Sequence, residues 1–397
     1  MFSNRTGWKL EENAFAQALR RHRESGRKIL DLTASNPTTC GFTYDHEAVL
    51  AALADPGSLR YDPEPKGLLK ARESVARYYA GKNPNTRVDP ENLILTTGTS
   101  EAYSFLFRLL CDPGDEILVA QPSYPLFDFL ADIQDVHLRP FQFVYDHGWQ
   151  IDFHSLQKAV TDRTRAALLV HPNNPTGHFT GEHEAEQLNS FCERHGLVLL
   201  VDEVFLDYEF AVAPASAHRQ RHGSFVANQR VLTFVMSGLS KIAALPQMKL
   251  GWIAANGPTE LLRDSIARLE VIADTYLSLS APLQHALPIL LPQRESMHPQ
   301  LMARTKENLA NLDAQLATQK IVSRLELDGG WYATLRVPSV PSDEQIAVGL
   351  LGEHSVVVHP GHFYDFSGDG YLIVSLLTPA AEFRQGITEL LAYIARL

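Results

Sequence analysis

The chain has 397 residues, 45% of them hydrophobic and 20% charged, which excludes a disordered or fibrous polypeptide and gives enough length for two domains. Lysine and arginine number 35 against 46 aspartates and glutamates, and the resulting net charge of −11 argues against nucleic acid or an anionic membrane as a partner. Three widely spaced cysteines, Cys40, Cys111 and Cys192, form no CxxC pair and read as reduced thiols in a cytoplasmic protein.

In chain order, the N-terminus lacks the apolar core of a signal peptide, and no apolar run is long enough to span a bilayer; residues 197–201 are typical of the longest. Residues 1–45 are too short to fold alone and are expected to pack on the domains or on a partner subunit. Near-continuous apolar runs predict strands at residues 93–97, 116–120, 166–171, 197–201, 231–236 and 250–254, buried on both faces. Between them, Ala102, Phe105, Leu106, Leu109 and Leu110 fall at i, i+3, i+4, i+7 and i+8, an amphipathic helix over residues 100–111. This alternation predicts an α/β domain with a mostly parallel sheet at residues 46–285. Residues 286–397 read as a smaller α+β domain: a helix over 298–320, strands at 330–337, 355–359 and 371–376, and a last helix over 380–396.

Ligands of open α/β sheets sit at the carboxyl ends of the strands. Five such ends carry polar residues. Gly98, Thr99 and Ser100 open a helix and make a ready phosphate cradle, although a plain N-cap explains them as well. Tyr124, between Ser123 and Pro125, is placed to stack on a flat ligand or to fill a loop. Asn173 and Asn174 stand in a turn-forming NNPTG and can also hold an aromatic oxygen. Asp202 ends five apolar residues, so its carboxylate is expected to be buried and in need of a cationic or N–H partner, unless it caps a helix. Lys241 follows Ser240 at the last strand end, where apolar neighbours lower an amine's pKa and make it a nucleophile; a surface lysine is the plain alternative. Together the five meet the needs of pyridoxal 5′-phosphate: an amine for a Schiff base, a carboxylate for the pyridine nitrogen, a phosphate cradle, a donor to the phenolic oxygen and an aromatic plate. His218 and His222 have i, i+4 spacing but no third ligand or HExxH pattern, so no metal site is expected, and no Walker A, GxGxxG or GxSxG motif occurs.

The ordered set of Tyr61 with Gly67, GTSEA at Gly98, PSY at Tyr124, NNPTG at Asn174, DEVF at Asp202, SK at Lys241 and GGWY at Gly329 resembles the class I/II aminotransferases of the aspartate aminotransferase superfamily over nearly the whole chain. The resemblance implies fold type I, an α/β large domain with a mostly parallel seven-stranded type of sheet and a small α+β C-terminal domain. It implies that Lys241 is the catalytic lysine and that Asp202, Asn174 and Tyr124 hold the ring. Gly98, Thr99, Ser100 and Ser240 would bind the phosphate. Tyr61 would reach the phosphate of a neighbouring subunit, giving a homodimer with shared sites. Ser35 and Asn36 would line the substrate entrance. The implied reaction moves an amino group between an amino acid and a 2-oxo acid.

Four positions depart from the family pattern. Phe205 replaces a tyrosine that donates to the phenolic oxygen, Gly238 a serine, and Lys249 a phosphate-gripping arginine. Ile373 stands where an arginine normally binds the substrate α-carboxylate, leaving Arg336 and His362 as candidate substitutes. Two rivals remain: another enzyme of the same fold (a lyase, decarboxylase, oxidase or amine transaminase), or a non-enzymatic cofactor-binding sensor. The second would need a DNA-binding module of about 60 residues, for which the N-terminal segment leaves no room.

Overall fold

The computed structural model describes residues 2–83, 86–123, 127–210, 220–277 and 279–397. Among them the strands, in chain order, are β1 (Leu30–Asp31), β2 (Leu93–Thr96), β3 (Glu116–Gln121), β4 (His137–Tyr145), β5 (Trp149–Ile151), β6 (Thr164–Val170), β7 (Val198–Asp202), β8 (Thr233–Gly238), β9 (Gly251–Asn256), β10 (Ser323–Arg324), β11 (Tyr332–Arg336), β12 (Val356–Val357), β13 (His359–Pro360) and β14 (Tyr371–Ser375).

An 8-stranded sheet runs in the order β2-β9-β8-β7-β6-β3-β4-β5. Neighbours β8, β7, β6, β3 and β4 are parallel; β9 is antiparallel to both β8 and β2, and β5 is antiparallel to β4. The expected seven-stranded type of sheet is present, and the short β5 adds an eighth strand at its edge. Alternation explains the apolar runs: Leu199 and Val201 enter one core and Leu200 the other, as Val235 is separated from Phe234 and Met236. Each strand thus buries both faces under helices, among them Thr99–Leu110 and Glu182–His195. Strands β4 and β5 escaped the sequence reading because they lie at the edge, where His137, Arg139 and Pro140 interrupt any apolar run.

A second sheet of 4 strands, in the order β10-β11-β14-β13, carries the C-terminal core. The single strand expected at 355–359 is two: β12 pairs with β1, whereas β13 pairs with β14, the chain changing partners at the buried Val358. The N-terminal segment therefore docks on the C-terminal unit. Leu30 and Leu32 donate to the carbonyls of Ser355 and Val357, and Ser375 donates its N–H to Leu32 and its hydroxyl to Ala34. Among the described residues no helix is long and apolar enough to cross a membrane.

Three glycines bring backbone against backbone where β2, β8 and β9 meet. A Cβ on Gly251 would stand 2.9 Å from the Ser237 carbonyl oxygen and 3.0 Å from Cα of Gly98; one on Gly238 would stand 2.8 Å from the Leu250 oxygen. Gly98 itself has φ +154°, a region that favours glycine. This contact gives a reason for glycine at 238, since a serine Cβ has no space there. Gly251→Ala is expected to cost roughly 1–3 kcal/mol as β9 is pushed off the Gly98 turn. Gly223→Ala, with nothing within 4 Å of the added carbon, should change little. Thermal unfolding of the two variants checks this, and equal melting temperatures would contradict the close-contact account.

Candidate active site

The carboxyl ends of β6, β7 and β8, neighbours in the sheet, deliver Asn174, Asp202 and Lys241 to one cleft. The cleft has a water-accessible volume of about 320 Å³ and is also lined by Ser35, Thr97, Gly98, Thr99, Ser100, Phe205, Ser240, Lys249 and Tyr332.

Each strand end places its residue for a local reason. β7 stops at Asp202 because the carboxylate turns back on its own chain: one oxygen accepts the Val204 N–H at 3.0 Å and the other the Tyr103 hydroxyl at 2.8 Å. Asp202 is buried, and no cation lies within ion-pair distance of it among the described residues. Burial therefore pushes its carboxyl up from the ordinary 3.8 to about 6, against the opposing pull of Tyr103, Val204 and Lys241. Lys241 lies in the short helix Leu239–Ile242, whose register is fixed by Leu239 N–H donating to Leu250 and by the Tyr208 hydroxyl donating to the Lys241 carbonyl at 2.6 Å. Its Nζ is 4.8 Å from the Trp331 ring centroid and 5.6 Å from that of Phe205. In these apolar surroundings desolvation lowers the amine from 10.5 to about 8, the Asp202 charge opposing, so near pH 8 about half is the nucleophilic free base.

The phosphate end is formed by two helix starts. The helix Thr99–Leu110 begins at Gly98 and the helix Leu239–Ile242 at Gly238, both without a side-chain cap; the Leu239 N–H is spent on Leu250, so the N–H groups left to meet an anion are those of the first turn of Thr99–Leu110 and of Ser240. Lys249, exposed and in a left-handed conformation with φ +46°, lines the same end and supplies a positive charge.

These residues fit pyridoxal phosphate. Asn174 is buried in the cleft lining and its side-chain oxygen has no hydrogen-bond partner among the described residues, so nothing there fixes which way the amide faces, and its NH2 can be turned to donate to a ligand's ring oxygen. Asp202 is a buried carboxylate for which a pyridinium N–H is the natural complement.

Not all expected residues reach the cleft. Asn36 does not line it; its side chain caps the turn Pro37–Thr39 by accepting from the Thr38 N–H and hydroxyl. Arg336 is a correction: it lies exposed at the end of β11, donating to the Tyr371 hydroxyl at 3.4 Å, away from the cleft lining. His362 is another, an exposed residue of the turn Gly361–Tyr364 packed edge-on against Phe363. Both fail because residue type alone carries no information about direction. Tyr61 is 74% exposed and does not line this cleft. Tyr124 and His218 lie outside the described residues. Among those residues no group of three His, Cys, Asp or Glu is placed to hold a metal.

The sequence reading missed Tyr103, which orients Asp202, and Tyr332, which lines the cleft together with Ser35. Tyr332 belongs to the GGWY run; the alternation Trp331 inward to the core, Tyr332 to the opposite face was the available signal.

The profile of the aminotransferase class I and II family matches residues 27–388. The chain is 24% identical over 379 residues to the glutamate-pyruvate aminotransferase AlaA of Haemophilus influenzae, covering 94% of this chain and 92% of that protein. It is 28% identical over 358 residues to the alanine aminotransferase of Mycobacterium tuberculosis, covering 87% and 81%. Among solved structures, the alanine aminotransferase of Pyrococcus furiosus superposes with a TM-score of 0.88 at 22% identity, covering 100% of both chains. A single mutant of the Thermus thermophilus aspartate aminotransferase gives 0.82 at 23% identity, covering 99% of both.

A carboxyl whose folded pKa is raised binds its proton more tightly in the folded chain, so its contribution to stability falls as pH rises from about 4 to about 6 and stays low above. For Asp202 the penalty is about 3 kcal/mol at most. In cofactor-free protein, Asp202→Asn should therefore be more stable than wild type at pH 8, and the difference should vanish near pH 4. Glu203, also raised by burial, to about 7, titrates in both proteins; the Asp202 charge contributes to that rise, so its removal adds to the variant's advantage at pH 8 in the same direction. Melting temperatures across pH check this; a pH-independent difference would contradict it.

Proposed function

We propose, for a chain that belongs to the aminotransferase class I and II family and is a pyridoxal-phosphate-dependent aminotransferase, that Lys241, Asp202 and Asn174 form its reaction centre and that a small neutral amino acid such as alanine is its preferred donor. The observation that carries the reading is the convergence of three adjacent strand ends on one cleft.

When bound, the cofactor supplies an electron sink for a substrate carbanion. Lys241 Nζ, partly unprotonated near neutral pH, would be the amine that holds the cofactor aldehyde and the base for the proton at the substrate Cα. Asp202 keeps a proton on the ring nitrogen; its buried charge has no other cationic partner within ion-pair distance among the described residues. Asn174 would donate to the phenolic oxygen, and Phe205, which lines the same cleft, has no hydroxyl to add. Gly98, Thr99, Ser100 and Ser240 would hold the phosphate, with Lys249 as counter-charge, and Tyr124 is assigned to the ring on the family pattern alone.

The substrate preference rests on two facts. The named alanine and glutamate-pyruvate relatives match over most of their length. Lys241 and Lys249 are the only cationic side chains lining the cleft among the described residues, so a second substrate carboxylate finds no arginine there. The same reading assigns residues 1–45 to an N-terminal segment, 46–285 to the cofactor-binding domain and 286–397 to the small domain of a cytoplasmic homodimer. Tyr61, at 74% exposure, lies near Leu59 at 93%, apolar surface suited to a partner subunit that shares the site.

Reconstituted protein should convert L-alanine and 2-oxoglutarate to pyruvate faster than it processes L-aspartate or aromatic amino acids. Lys241→Ala should lose both the visible absorbance of the covalently held cofactor and at least about a thousandfold of turnover. Wild-type turnover in that variant, or a preference for aspartate, would overturn the assignment.

A further inference from the structure

The position that should grip the substrate carboxylate is occupied by Ile373, which is buried. Its neighbours across the small sheet are fixed by register: Thr334 on β11 and His359 on β13 both stand directly opposite Ile373 on β14. Residues directly opposite in an antiparallel sheet share a face. Tyr332 is two residues from Thr334 on β11 and shares that face as well, while Ala333 and Leu335 point into the core on the other. The face that carries Ile373 is therefore the face that meets the cleft at Tyr332.

This face holds hydrogen-bonding capacity that the fold does not consume. The Thr334 hydroxyl is buried without a partner among the described residues. Tyr332 and Ser35 line the cleft together, near enough for the Ser35 hydroxyl to pull the Tyr332 pKa down against the effect of burial. Ser35 is held there because Ser375, on the same strand as Ile373, donates its hydroxyl to the Ala34 carbonyl at 2.5 Å. His359 reaches the group through Tyr364: its Nδ1 lies 3.1 Å from the Tyr364 hydroxyl, and the Tyr364 ring is 6.4 Å from that of Tyr332. If Nδ1 accepts from Tyr364, the ring proton sits on Nε2, for which no partner occurs among the described residues. Burial lowers the His359 pKa, with Asp31 opposing, so the ring acts mainly as a neutral N–H donor.

We propose that Tyr332 and Ser35, supported by His359, form the anchor for the substrate α-carboxylate in place of the arginine that Ile373 displaces. The proposal rests on the aminotransferase reading and specifies the substrate end of its site: two hydroxyl donors, with a histidine positioning the wall behind them, in place of one guanidinium.

The test uses the holoenzyme, with Tyr332→Phe and His359→Gln as variants. Two ligands are compared in the amino-group transfer half-reaction, L-alanine and its decarboxylated counterpart ethylamine. Binding of unreactive propionate is followed separately through the cofactor absorbance. The anchor predicts that Tyr332→Phe weakens L-alanine and propionate by roughly tenfold or more, the effect of losing a hydrogen bond to a charged group, that His359→Gln weakens both by a smaller factor of at least about threefold, and that ethylamine changes by less than about twofold in either variant. Equal losses for alanine and ethylamine would mean a structural role, and unchanged propionate binding in both variants would mean the carboxylate is held elsewhere; either overturns the anchor. A wild-type holoenzyme that transfers no amino group from any amino acid would instead overturn the aminotransferase reading, while the propionate titration still reports on the anchor. Circular dichroism melts confirm that the variants fold.

Discussion

The constraint on which the site depends is the burial of the Asp202 carboxylate at the end of a strand with apolar neighbours on both faces of the sheet. The fold supplies it with a tyrosine hydroxyl and one backbone N–H, but with no cation in contact among the described residues. A buried carboxylate in that condition is costly, and burial raises its pKa. Under the proposed function a protonated pyridine nitrogen would remove that cost, which would link ligand binding and folding stability through a single group. Lys241 is shifted the opposite way by the same apolar surroundings, and the two shifts together separate an acid role from an amine nucleophile within one cleft.

The architecture exists to hold these groups at fixed spacing. Parallel strands β6, β7 and β8 bring Asn174, Asp202 and Lys241 to one cleft, and glycine contacts among β2, β8 and β9 bring the Gly98 turn to the same cleft. The other wall comes from elsewhere in the chain. The N-terminal segment, joined to the C-terminal unit through β1 and β12, brings Ser35 against Tyr332 of β11. The cleft is thus closed by residues some three hundred positions apart in sequence, and the hydrogen bonds of Ser375 to the N-terminal segment keep that wall in register.

Much of this was legible in the sequence, for physical reasons that can be named. A carboxylate or a lysine at the end of five or six apolar residues marks a strand terminus, and so Asp202, Asn174, Lys241 and the Gly98 turn were found. The edge strands β4 and β5 were not, because exposed strands lack the continuous apolar signature. Arg336 and His362 were chosen by residue type, and the structure turns both toward solvent. His359, three positions before His362, lies opposite Ile373, a relation set by strand register between distant segments and invisible to local pattern. Tyr332 was hidden for a related reason: GGWY reads as an aromatic strand until the face of each ring is known.

The most direct test of the central claim is chemical trapping. Reduction of the holoenzyme with borohydride, followed by proteolysis and mass spectrometry, fixes the cofactor to the amine that holds it. The account predicts a single pyridoxyl group on the peptide bearing Lys241. A pyridoxyl group on Lys249 or another lysine, or none on any peptide, would contradict it.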